Sequence, residues 1–161
     1  MEIRRSALVE YPVEAMFDLI ETAEHYPAFL PWCADATILA RDDALVLANL
    51  TVAWHGVRFE LKTRNPKRRP EWLAFRVEEG PFRRFDGEWN LRALAPSACK
   101  VEFSLRYEFA GVLLRKAAGV AFDRIATTYV DAFVSRAHVL FGPGADLGAT
   151  SPRPERDDEH R

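Results

Sequence analysis

This sequence predicts an α+β fold, a curved antiparallel sheet of about seven strands wrapped around one long C-terminal helix, with two short helices after the first strand. Three observations carry the prediction. Between Ala34 and Phe109 apolar residues alternate with charged ones, the period of strands that are wet on one face and covered on the other. From Gly111 to Phe141 they recur at steps of three and four, the period of a helix. Clusters of Gly, Pro, Asn and Ser punctuate the alternating run as tight connections require.

The opening EIRRSALVEY is short, partly alternating and bounded by Pro12, which suits a first strand leading into a helix with proline near its first turn. In PVEAMFDLIETAEHY, Val13, Met16, Phe17 and Ile20 share one helical face and Glu14, Asp18 and Glu21 the other. Pro27 and Pro31 then forbid a smooth continuation, because each lacks an N–H and disfavours helical geometry in the residue before it. Residues 24–33 should therefore be a broken turn or a second short helix. Beyond them, VRFELKT sets Val57, Phe59 and Leu61 on one face, EWLAFRVEE does so with Leu73, Phe75 and Val77, and FDGEWNLRAL with Phe85, Trp89 and Leu91. KVEFSLRYEF completes the set with Val101, Phe103, Leu105, Tyr107 and Phe109. The predicted links are WHGV, NPKRRPE, EEGPFRR and APSAC. The final helix presents Leu114, Ala118, Phe122, Ile125, Tyr129, Phe133, Ala137 and Leu140 as one stripe. At about 1.5 Å per residue it is long enough to cross the whole sheet.

A chain of 161 residues holds one domain with a single core and one cavity in it. We place that domain at residues 1–141 and expect 142–161, rich in Gly, Pro and charge, to be a disordered tail. A net charge of -2 argues against a general polyanion binder, DNA included, since such proteins carry a strongly basic face. One local basic run stands out, KTRNPKRR, where Lys62, Arg64, Lys67, Arg68 and Arg69 fall in a predicted hairpin turn. It is either a solvated loop or a contact for anionic lipid headgroups or ribosomal RNA. Cys33 and Cys99 have no disulfide or zinc spacing and read as reduced, buried thiols. No signal peptide is evident at the N-terminus and no apolar run approaches the ~20 residues of a membrane span, so the expected location is cytoplasmic.

The order of elements, together with YPAFLPWCADATIL, EEGPFRRFDGEWNL and AFDRIATTYVDAFVSRA, resembles the START-like (SRPBCC, helix-grip) superfamily. Within it the chain resembles the coenzyme-Q-binding branch that includes the ribosome-association toxins. The YPxFLPWC element followed by GPFxxxxGxW carries the likeness, which covers residues 1–141. The resemblance implies a hydrophobic ligand, ubiquinone or a related polyprenyl quinone, held between sheet and helix, with delivery at the inner membrane surface. It also implies a rival role, a toxin-like factor that binds the large ribosomal subunit and blocks subunit association, and elsewhere in the superfamily a polyketide cyclase activity. Phe85 departs from the aliphatic residue expected there and makes that wall bulkier.

Two readings of the apolar segment stay open at this point. Tyr26, Phe29, Leu30 and Trp32 form a proline-broken flap over the mouth of a cavity, or they cap the core. The candidate cavity wall is Phe85, Trp89, Phe103 and Tyr107 from the strands with Phe122, Ile125, Tyr129 and Phe133 from the helix. Tyr107 and Tyr129 draw notice because a buried phenol needs a partner and could donate to a quinone carbonyl. His25, His55, His138 and His160 stand in no HExxH or GxSxG context, so no catalytic residue, metal site or resident cofactor is assigned. The leading expectation is a non-enzymatic carrier, with the ribosome factor and the cyclase as rivals.

Overall fold

Alternation becomes one seven-stranded antiparallel sheet in the computed structural model, which describes residues 1–142. The expected tail lies outside the described residues apart from Gly142. After β1 (Glu2–Val9) come α1 (Val13–Glu21) and a short 3-10 helix (Ala23–Ala28). Five hairpin connections then link β2 (Cys33–Arg41), β3 (Leu45–Trp54), β4 (Val57–Arg68), β5 (Trp72–Glu79), β6 (Phe82–Ala95) and β7 (Ala98–Phe109). A 30-residue helix, α2 (Val112–Phe141), closes the fold. The strand order β1-β7-β6-β5-β4-β3-β2 makes β1 and β2 the two edges, so α1 and the 3-10 helix carry the chain from one edge to the other.

Register turns the sequence period into two chemically different faces. Leu73 sits opposite Trp89 and Trp89 opposite Phe103, all three buried beneath α2. On the other face Arg76 is paired with Asp86 and Asp86 with Arg106, a cross-strand row of alternating sign that suits solvent. Against the inner face α2 lays Ala118, Phe122, Ile125, Tyr129, Phe133 and Ala137, as the periodicity predicts. Its alanines let the helix backbone approach the sheet while its aromatics fill the remaining depth. Trp89 is fully buried with ring centroids 4.9 Å from Phe103 and 5.3 Å from Phe133.

Two expectations are corrected. Leu140 does not join the buried stripe but is 49% exposed. The last turn of α2 is instead held from its other side by Tyr11, whose hydroxyl lies 2.7 Å from His138 Nδ1 and whose ring packs on Phe141. The basic run is not a hairpin turn: residues 62–68 belong to β4, and the turn follows at residues 69–71. Asn65 and Pro66 favour turns locally, yet they pair with Val46 and Leu45 of β3, and Lys67 donates its N–H to the Ala44 carbonyl at 2.9 Å. Strand pairing here outweighs local turn preference.

Candidate functional site

Between the sheet and α2 the side chains leave a hollow of about 60 Å³. Its sheet wall is built from inward positions of five neighbouring strands, among them Val52, Leu61, Leu73, Phe75 and Leu105. The α2 wall is Phe122, Ile125, Ala126 and Tyr129, where Ala126 supplies the space that a larger residue would occupy. Ala23, Tyr26 and Trp32 close one end. At roughly 10–15 Å³ per water the hollow accommodates a few solvent molecules, well short of the roughly 300–1,000 Å³ typical of ligand pockets. A ring or prenyl chain enters only if the walls part.

The segment that closes the end is pinned rather than loose. The Tyr26 hydroxyl donates to the Ile20 carbonyl at the end of α1. Leu30 N–H reaches back to the Tyr26 carbonyl at 2.8 Å, and the Trp32 carbonyl accepts from Ala53 N–H of β3 at 2.9 Å. Burial pushes the Tyr26 and Tyr129 phenols well above the ordinary tyrosine range, so both are neutral donors.

Of the residues singled out in the sequence, the fold brings Tyr26, Trp32, Phe85, Phe103, Phe122, Ile125 and Tyr129 to the hollow. Phe29 and Leu30 sit outside its lining, Phe29 with its ring 5.2 Å from Phe133 and beneath the Arg136 guanidinium at 5.4 Å. Trp89 and Phe133 belong to the solid core beside the hollow. Tyr107 also lies off the lining, and its hydroxyl is already given to the Asp123 carboxylate, next to Met1 Sδ at 3.2 Å. It has no donor left for a quinone carbonyl.

Thr63 and Asn65, absent from the candidate residues read in the sequence, also line the hollow. They were hidden inside the supposed basic turn. Extending the alternation Val57, Phe59, Leu61 by two more steps finds both.

The basic run is largely engaged within the protein. Lys67 Nζ meets Glu21 Oε1 at 2.9 Å, and Arg69 makes a two-pronged contact with Asp18 at 2.8 and 2.9 Å. Arg68 lies over the Trp72 ring at 5.4 Å, Lys62 is 4.0 Å from Glu79, and Arg64 is exposed. Cys33 and Cys99 are free, buried thiols, as expected. Among the described residues no helix is long and apolar enough to cross a membrane.

A sheet gripping one long helix over an apolar hollow is the START-like fold, and the chain belongs to the polyketide cyclase/dehydrase and lipid transport family, whose model matches residues 9–134. Among curated relatives, a Pseudomonas aeruginosa protein named ribosome association toxin RatA is 39% identical over 140 residues, covering 87% of this chain and 97% of that one. The mitochondrial coenzyme Q-binding protein COQ10 homolog B of Xenopus laevis is 24% identical, over 88% of this chain and 60% of its own. Among solved structures, the Zhui aromatase/cyclase from Streptomyces sp. R1128 superposes with a TM-score of 0.74 over 86% of this chain and 95% of that one. At 14% identity that last likeness shows the fold alone.

Proposed function

We propose that this protein is a non-enzymatic carrier that shields a hydrophobic molecule, a polyprenyl quinone or related lipid, between its sheet and α2 and releases it at a membrane surface. The observation that carries this reading is the apolar hollow, bounded by aromatic and aliphatic side chains and roofed by the Tyr26–Trp32 segment. The family description, which includes lipid transport, and the coenzyme Q-binding name of the Xenopus relative support it. Burial supplies the affinity: at about 25 cal/mol per Å², about 300 Å² of isoprenoid surface is worth several kcal/mol, from which parting the walls and immobilising the ligand subtract. No lining residue is a carboxylate, imidazole or thiol, which leaves a cyclase only two neutral phenols for proton transfer. Organic extraction of the purified protein followed by mass spectrometry tests the carrier: a stoichiometric prenyl lipid is expected, and an empty protein that also fails to take up added quinone overturns it.

A second reading is favoured by the name of the Pseudomonas relative at 39% identity, namely a factor that binds a ribosomal subunit through its surface. Sucrose-gradient sedimentation with dissociated subunits separates the two. Co-migration with one subunit and no lipid on extraction supports the ribosome factor, whereas free sedimentation removes it.

A further inference from the structure

Besides the phenols of Tyr26 and Tyr129, two aliphatic polar side chains interrupt the apolar wall. Thr63 and Asn65 stand two positions apart on the inward face of β4, and both line the hollow. Thr63 is 3% exposed, and its Oγ1 has no hydrogen-bond partner. Asn65 Oδ1 is likewise buried and unpartnered. Buried polar atoms are nearly always satisfied in a folded protein, so a pair left open on one wall of a cavity marks where a missing partner belongs. Apart from the two phenols, Tyr26 and Tyr129, the lining carries no ionisable group. A buried carboxylate or phosphate would find no cation there, and burying an unpaired charge is prohibitive.

On the reading that the hollow holds a ligand, we propose that Thr63 and Asn65 form its polar end and bind the hydroxyl of a neutral amphiphile, whose hydrocarbon lies against Phe85, Phe103, Phe122 and Ile125. The chemistry of the pair selects the group. A threonine hydroxyl donates and accepts, and a carboxamide presents an acceptor or a donor according to its orientation. A ligand hydroxyl does both and satisfies the two side chains in either orientation. In the orientation of the structure, with Asn65 Oδ1 facing the hollow, a carbonyl accepts only and leaves that oxygen unmatched, and a hydrocarbon leaves both side chains open. The site therefore favours an alcohol, phenol or quinol head over the corresponding quinone, and either over a fatty-acid carboxylate.

Calorimetric titration of the full chain at pH 7 with 2-naphthol, naphthalene and 2-naphthoate tests the assignment, because the three share a ring system and differ in the head group. We expect 2-naphthol to bind at least tenfold tighter than the other two. Thr63→Val should lower 2-naphthol affinity about tenfold, the usual scale for one hydrogen bond, and bind naphthalene no more weakly than the native protein, since it removes a hydroxyl that a hydrocarbon leaves unsatisfied. Thr63→Ser should keep the preference. Equal binding of 2-naphthol and naphthalene to the native protein overturns the proposal, as does tighter binding of naphthoate or an equal loss of all probes in Thr63→Val. Naphthalene binding without a hydroxyl preference sinks the polar end and leaves the carrier standing. No binding by any probe, with nothing extracted, sinks both.

Discussion

Lys67 and Glu21, 46 positions apart in the chain, meet at 2.9 Å with side chains only 10% and 13% exposed. The contact bolts β4 to the end of α1, directly before the segment that closes the hollow. Glu21 also accepts from Arg41 of β2 at 2.8 Å, so it is the hub of this junction. Removing one partner of a largely buried pair strands the other's charge. Glu21→Gln should therefore cost about 2–3 kcal/mol in urea unfolding and Lys67→Met about 1 kcal/mol, since Glu21 would keep Arg41. Equal losses would show that Glu21 is not shared.

The same junction gives a pH dependence. Arg41 Nη2 lies 2.6 Å from Glu24 Oε2, and this hydrogen bond holds the Glu24 carboxyl below its ordinary value of 4.5. A depressed carboxylate contributes stability that is present above the unfolded value and lost as pH falls through the folded one. Both side chains are about a third exposed, so the contribution is about 1 kcal/mol at most. The difference in melting temperature between the native protein and Arg41→Gln should be largest near pH 7 and shrink below about pH 4.5. A difference that is flat down to pH 3 would count against the pairing.

Gly87 of β6 is a packing requirement for the cavity wall. A Cβ built there would come within 2.3 Å of the Phe75 ring, so Gly87→Ala must push Phe75 aside. Forcing a methyl into a filled site costs about 1–3 kcal/mol. We expect that loss in thermal unfolding, together with weaker uptake of hydrophobic probe as Phe75 is driven from its place in the lining. Phe75→Leu in the same chain should restore much of the stability. A neutral Gly87→Ala would refute the close fit.

Burial pushes both thiols, Cys33 and Cys99, up to about 11 from 9.0. Thiolate is the reactive form, so neither should react with an aromatic disulfide reagent at pH 8 on the minute scale, and both should react once the chain is unfolded. The stability linked to these groups is complete below pH 9 and declines as pH rises toward 11, because only the unfolded chain releases the protons in that window. Rapid labelling of the native protein would show that the end of the fold near Cys33 opens easily.

The inward set Leu73, Trp89, Phe103 and the helical stripe from Ala118 to Ala137 were readable because each follows a single period, and burial of one face is what that period encodes. Leu140 fits the period too and yet is exposed, since Tyr11, a residue from the far end of the chain, decides what the last turn packs against. Tyr107 and Tyr129 look alike in sequence. One is committed to Asp123 and the other borders the hollow, a difference set by neighbours on another element.

Local patterning was thus sufficient for the strand and helix plan and the largely apolar character of the enclosed face, because those follow from residues close in sequence, while the family was legible only as a resemblance carried by particular motifs. Which cations are spent on α1, that Thr63 and Asn65 point inward from a charged stretch, and how little free space the aromatics leave were decided only when β4 paired with β3 and α2 came down on the sheet. These properties belong to contacts between distant segments, and side-chain volume is shared out only once those segments meet.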